Sequence, residues 1–296
     1  MMELELLDKK IRRLNLKLKK HNIYLHIFDH TDIHYGPTLG KGGEGIVQKC
    51  TVRYNELLVD AAVKTVLNNT DDGLEITFDE IEMLCLAHDP IMTTTIKVYG
   101  VAAVPDREDP THGHLVIIME AGIKNALQLY QDETIPFHVT LDLWHRLAVS
   151  LHCIHKKNII HQDLKPENVL ITGLFRDHYG ILERLEAKVI DLGMARLVEG
   201  GKVVTEDVLG TTGYHSPEVL FDETYDFKAD VFVLGITFCV MLLNQLTLRT
   251  APLQAFLKRV HEAKERGLVG QSLFFSVIQP LIDKDICLPT VISEMI

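Results

Sequence analysis

The sequence predicts an α+β chain: a small antiparallel-sheet lobe carrying one helix, followed by a larger, mostly helical lobe. Two observations predict it. Strand-like segments dominate to about residue 121 and helix-like segments dominate beyond it, a segregation typical of α+β rather than alternating α/β architecture. At 296 residues, with 47% hydrophobic and 24% charged, the chain is long enough for two lobes with a sizeable core. The expected organisation is a lead-in of residues 1–32 and a domain of residues 33–296, divided into lobes at 33–121 and 122–296.

The lead-in is set apart by charge and period. Leu4, Leu7, Ile11, Leu14 and Leu18 recur at helical spacing, while Lys9, Lys10, Arg12, Arg13, Lys17, Lys19 and Lys20 fill much of the remaining surface. Such a helix can pack on its own domain with a solvated basic face, or use residues 3–20 to dock on an anionic membrane surface or a partner helix. From Asn22 the alternation of Ile23, Leu25 and Ile27 predicts a half-buried strand. His26, His30 and His34 share a helical spacing, but they lie in strand and loop, where that spacing does not converge on a metal.

Composition narrows the function classes. A formal charge of −11 disfavours a nucleic-acid partner. No apolar run approaches the roughly 20 residues needed to span a bilayer. The acidic start is a poor secretory signal, and Cys50, Cys85, Cys153, Cys239 and Cys287 are scattered without a C-x-x-C pair. Reduced thiols and a cytoplasmic location are the expectation. The sequon Asn68-Asn69-Thr70 is read as accidental.

The chemistry is concentrated in His161-Gln162-Asp163-Leu164-Lys165-Pro166-Glu167-Asn168. It sets a carboxylate, an ammonium and an amide at fixed offsets, which suits phosphoryl transfer from a nucleotide. Asp163 can orient and deprotonate an attacking hydroxyl, Lys165 can neutralise the phosphoryl group in flight, and Asn168 can hold a metal ion. Upstream, Gly40, Gly42 and Gly45 occupy G-x-G-x-x-G positions, where missing Cβ atoms let backbone N–H groups approach phosphate. Strand-like sequence follows these glycines, then Lys64 in Ala61-Ala62-Val63-Lys64; a Rossmann turn would lead into a helix instead. The stretch from Thr77 to Leu84 reads as helix and offers Asp79, Glu80 and Glu82 to hold Lys64. Asp191-Leu192-Gly193 ends a buried strand with a carboxylate suited to a divalent ion.

Taken in this order, the motifs resemble those of eukaryotic-type protein kinases, and Lys165-Pro166-Glu167-Asn168 resembles the serine/threonine branch. The resemblance covers roughly residues 33–296. It implies a bilobal kinase-like fold and transfer of the γ-phosphoryl group of ATP to a Ser or Thr hydroxyl of a protein substrate, with Mg²⁺ on the phosphates. It also implies roles residue by residue. Asp163, Lys165, Asn168, Lys64 and Glu80 form the catalytic set, with Glu82 an alternative to Glu80. ATP is expected to meet Gly40, Gly42, Gly43, Gly45, Val47, Ala62, Lys64, Met119 (at the gatekeeper position), Glu120 and Leu170. Asn168 and Asp191 are the metal ligands, Asp230 braces the loop from beneath, and Thr211, Tyr214 and Glu218 belong to the substrate-docking segment. Inactive members of the family usually lack the Lys, the loop Asp or the metal Asp, and all three are present here.

Three departures stand out. Gln162 replaces an Arg that, in many members, pairs with a phosphate on the activation segment; an amide cannot make that bidentate, charge-assisted contact. Activity is therefore expected not to depend on phosphorylation through this residue, with Thr205, Thr211, Thr212 and Ser216 as modifiable positions. Leu288 stands where an Arg would pair with Glu218. Asp191 follows Asn168 by 23 residues, more than the family's usual spacing, so residues 172–186 are read as an inserted hairpin or short helix.

Overall fold

The computed structural model describes residues 2–246 except 43–44, 199–201, 205–209, 212, 217 and 220–223, together with 259, 262–263, 265–268, 272 and 276; for 204 and 242–246 it describes the backbone alone. Gly43, Thr205, Thr212, Cys287 and the 286–290 segment with Leu288 lie outside the described residues. The chain divides into two compact units, Met1–Ile123 with Lys188–Ala195, and Lys124–Ala187 with Arg196–Ile296.

The first unit is a seven-stranded sheet with two helices. Strands β1 (Met2–Glu3), β2 (His26–Ile27), β3 (His34–Lys41), β4 (Gly45–Tyr54), β5 (Leu57–Val66), β6 (Val98–Pro105) and β7 (His112–Glu120) are arranged in the order β2-β6-β7-β5-β4-β3, with β1 also paired to β7. The strands within residues 33–121 pair antiparallel throughout, as expected, and the lead-in strand β2 adds to their edge in parallel with β6. Period-two alternation sorts the strands onto two cores. Val66, Val101, Leu115 and Ile117 face one side, while Val63, Ala102, Val116 and Ile118 face the other with Val52 and Phe28.

Helix α1 (Leu4–Lys19) buries Leu7, Ile11, Leu14 and Leu18 in the first of these cores, beside Leu74, Phe78 and Ile81 of α2 (Asp71–Ala87). The apolar stripe of residues 3–20 is thus covered by the chain itself. The lead-in strand is shorter than its alternation predicts, because Leu25 is held by a side chain instead of a neighbouring strand. Asn15 of α1 donates from Nδ2 to the Leu25 carbonyl at 2.8 Å, and its Oδ1 accepts the Leu25 N–H at 3.0 Å. Helix α2 begins six residues before the Thr77 expected from sequence. Thr70 caps it, with Oγ1 accepting the Gly73 N–H at 3.1 Å, and Asp71 and Asp72 favour its positive N-terminal end.

The second unit holds α3 (Ala126–Asp132), α4 (Phe137–His155) and α5 (Lys228–Leu246) with short strand pairs. β8 (Lys124–Asn125), β10 (Val169–Arg176) and β11 (Leu182–Val189) form a three-stranded sheet in the order β11-β10-β8, so the insertion is a hairpin turning at Asp177–Gly180. β9 (Ile159–Ile160) pairs with β12 (Arg196–Leu197), and β13 (Val203–Val204) with β14 (Thr224–Tyr225). Among the described residues, no helix is long and apolar enough to cross a membrane. Cys50, Cys85, Cys153 and Cys239 are free; burial pushes the Cys50 thiol up to about 11 and those of Cys85 and Cys239 to about 12, so these three stay protonated near neutral pH.

Asn15→Ala removes both bonds to Leu25 and leaves its backbone groups in a part-buried site. It is expected to destabilise the chain by about 1–3 kcal/mol, read as a lower denaturant midpoint at unchanged slope.

Candidate active site

In the second unit, the loop 161–168 follows β9 and is fixed from below by one buried carboxylate. Asp230, in the first turn of α5, is 0% exposed. Its Oδ2 accepts the His161 N–H at 2.8 Å and its Oδ1 accepts the Gln162 N–H at 2.8 Å. His155, at the end of α4, contacts Oδ2 through Nε2 at 2.8 Å. One further bond ties the loop to its surroundings, from Thr237 Oγ1 to the Leu164 carbonyl at 3.0 Å, and within the loop the Asp163 N–H reaches His161 Nδ1 at 3.3 Å.

This anchoring matters because Gln162 has φ of 70°, a left-handed conformation that costs a non-glycine residue about 1–3 kcal/mol. The bend turns Asp163 to meet a dense set of donors. Lys165 Nζ lies 2.7 Å from Asp163 Oδ2 and 2.7 Å from Thr211 Oγ1. Thr211 donates to Asp163 Oδ1 from its backbone N–H at 2.9 Å and from Oγ1 at 2.6 Å. Asn168 Nδ2 donates to the Asp163 carbonyl at 2.8 Å and approaches Oδ2 at 3.3 Å. With its amide nitrogen engaged, Asn168 keeps its amide oxygen as a hard ligand. Gly210 permits the approach of the 210–211 backbone: its φ is 105°, and a Cβ there would meet the Gln162 carbonyl oxygen at 2.9 Å.

Gln162 turns its amide nitrogen to the Tyr225 hydroxyl. Tyr225 is buried on β14 with Ile160, Val198, Val203 and Val219, and β14 is the partner of β13. Tyr214 is buried as well, and burial together with the nearby Glu167 and Asp163 carboxylates raises its phenol far above the usual range. Glu218 is half-buried, and Leu170 lies on β10 opposite Asn125 of β8.

In the first unit, Lys64 on β5 sits opposite Val47 on β4 and Ile117 on β7. Its Nζ is 3.4 Å from Glu80 Oε2, and the two side chains are 17% and 14% exposed. Of the two carboxylates proposed from sequence, Glu80 meets Lys64, while Glu82 lies 3.1 Å from Lys17 of α1. Ala62 is buried and faces Met119 across the β5–β7 ladder. Glu120 sits at the end of β7 with its side chain 2.6 Å from Lys188 Nζ, so the part it can offer a ligand is its backbone.

The glycines of the β3–β4 turn differ from one another. A Cβ on Gly45 would lie 2.5 Å from the Thr65 carbonyl oxygen, so the sheet itself requires glycine there. Gly40 and Gly42 have open space around a hypothetical Cβ, with nothing within 4 Å among the described residues. Asp191 has φ of 62°, and its Oδ1 accepts the Gly193 N–H at 3.2 Å, while Leu192 is buried beside it. A carboxylate oxygen of Asp191 in this unit, and separately the amide oxygen of Asn168 in the second, are each of the hard oxygen type that divalent cations such as Mg²⁺ select.

His155, Thr237, Tyr225 and Lys188 had no signal in the sequence, because each acts through a contact made at long range. A model of the protein kinase domain matches residues 33–271. The chain is 30% identical over 210 residues to the serine/threonine-protein kinase PknK of Mycobacterium bovis, a match covering 69% of this chain and 17% of that protein. It is 30% identical over 211 residues to cyclin-dependent kinase-like 4 of Mus musculus, covering 70% of this chain and 55% of the relative. A probable serine/threonine-protein kinase of Clostridium perfringens is 24% identical over 227 residues, covering 76% and 30%. The chain thus spans about half or less of these relatives' lengths. With a domain match over most of its length and a loop whose carboxylate, ammonium and amide are held together, the chain belongs to the protein kinase family.

Proposed function

We propose that the chain transfers the γ-phosphoryl group of ATP to a Ser or Thr hydroxyl of a protein substrate. The observation that carries this reading is the Asp163 carboxylate, bound at once by Lys165 and Thr211 and backed by Asn168. A carboxylate so held is preset to orient an acceptor hydroxyl, and Thr211 marks where a hydroxyl is received. When the acceptor displaces Thr211 Oγ1, its proton passes to Asp163 as its oxygen bonds to the γ-phosphorus and the bond to the β-phosphate oxygen breaks. Lys165 then lies beside the transferring group, where it stabilises the added charge.

On the nucleotide side, Lys64, held by Glu80, takes the α/β-phosphates, and the open positions Gly40 and Gly42 admit close approach of backbone N–H groups to phosphate. Val47, Ala62, Met119, the backbone of Glu120 and Leu170 are the proposed surroundings of the base. Asn168 and Asp191 would each offer an oxygen to Mg²⁺, which would supply charge neutralisation at the phosphates. Positioning and charge neutralisation account for most of the rate, since general-base help contributes roughly 10²–10⁴-fold. A cytoplasmic location remains part of this proposal.

The chain is also proposed to set its catalytic loop without a phosphate. Gln162 already has a neutral partner in Tyr225, on the strand that pairs with residues 203–204.

Phosphotransfer from labelled ATP to a degenerate Ser/Thr peptide library should fall by at least about 10²-fold in both Asp163→Asn and Asp191→Asn; incorporation unchanged in Asp191→Asn, or mainly on Tyr, contradicts the reading. Fully dephosphorylated protein should keep its activity, and Tyr225→Phe should lower kcat by a few-fold to about tenfold, as expected for a lost hydrogen bond. Inactive dephosphorylated protein that recovers on phosphorylation defeats the phosphate-free setting of the loop.

A further inference from the structure

The two helices of the first unit are matched in charge as well as in shape. α2 carries an acidic row, Asp71, Glu75, Asp79 and Glu82, at spacings of four, four and three that keep it on one face. α1 presents Lys10 and Lys17, two helical turns apart, to that row. Lys10 Nζ lies 2.7 Å from Glu75 and 3.3 Å from Asp71, and Lys17 Nζ lies 3.1 Å from Glu82 and 3.9 Å from Asp79. The pairing order runs both helices in the same direction. The bond from Lys10 holds the Glu75 carboxyl below its usual range and the Lys10 ammonium above its own, so the pair is charged at neutral pH.

Beneath the charges, Leu14 and Phe78 share one core, and both line a small cavity with Lys10, Lys17 and Glu75. That core also contains Ile81, the residue after Glu80. Glu80 and Glu82 lie about 200° apart around α2. One faces the sheet and takes Lys64, while the other faces α1 and takes Lys17. A rotation or outward shift of α2 that broke the second contact would therefore also move the first.

We infer that α1 is a resident brace for α2: through Leu14 and Lys17 it fixes the rotation of that helix, and so holds Glu80 on Lys64 and sets the affinity for ATP. Leu14 and Lys17 are positioning residues on this account. The inference rests on the assignment of Lys64 to the ATP phosphates.

The test measures the Kd for ATP with Mg²⁺ by titration, alongside melting temperature, for the full chain. Leu14→Ala is compared with buried substitutions on the other core, Val52→Ala and Val63→Ala, using whichever matches its loss of melting temperature. The brace predicts that Leu14→Ala weakens ATP binding by about tenfold more than its stability-matched control, and that this excess disappears in a Glu80→Gln background. Equal weakening in Leu14→Ala and its control overturns the inference, as does an excess that persists without Glu80. Should Leu14→Ala fail to fold, Lys17→Glu serves instead. It should weaken ATP binding, and Glu82→Lys added to it should restore binding; an unchanged Kd for Lys17→Glu overturns the brace. If Lys64→Met binds ATP as tightly as the unaltered chain, the assignment of Lys64 fails instead, a result distinct from failure of the brace.

Discussion

One buried carboxylate governs the geometry of the catalytic loop. Asp230 accepts the N–H groups of two consecutive residues, His161 and Gln162, and meets the His155 ring at the same oxygen as His161. A carboxylate with no solvent is costly unless its oxygens are occupied, and here the loop backbone occupies them. The arrangement works in both directions. The loop satisfies Asp230, and Asp230 stabilises the left-handed turn at Gln162 that aims Asp163 at Lys165 and Thr211. Removing the carboxylate would leave two amide donors unmet and a strained turn unsupported.

The same logic of a helix presenting a carboxylate at a fixed phase appears in the first unit. α2 offers Glu80 to Lys64 from one side and an acidic row to α1 from another. Its phase is fixed by packing of Leu74, Phe78 and Ile81 together with the stripe of α1. A basic N-terminal segment that reads, in isolation, as a candidate for a membrane or partner surface is therefore part of the unit's own core. Two of its lysines, Lys10 and Lys17, meet carboxylates of α2.

Much of this was legible in the sequence, for a physical reason. Phosphoryl transfer needs particular side-chain types at short, fixed offsets, so Asp163, Lys165 and Asn168 announce themselves, whereas Asp230 was marked only by the resemblance of its segment to a family motif. Helical period likewise marked the buried face of α1. What sequence left open depended on phase or long-range contact. Glu80 and Glu82 are equivalent as letters, and the rotation of α2 separates them. The Asn15 bonds that shorten the lead-in strand, the Thr70 cap that starts α2 early, and the Tyr225 hydroxyl that receives Gln162 join residues that no local pattern links. Gln162 itself was visible as a departure, but its partner was not.

The measurement that bears most directly on this account is the steady-state kinetics of Asp230→Asn, read with amide hydrogen exchange at His161 and Gln162. An amide side chain in that place keeps the size but turns a donor toward at least one of the two loop N–H groups. The account predicts faster exchange at both amides and a fall in kcat of about 10²-fold or more, with little change in the KM for ATP. Unchanged exchange and unchanged kcat would contradict the claim that this buried carboxylate holds the catalytic loop in its working form.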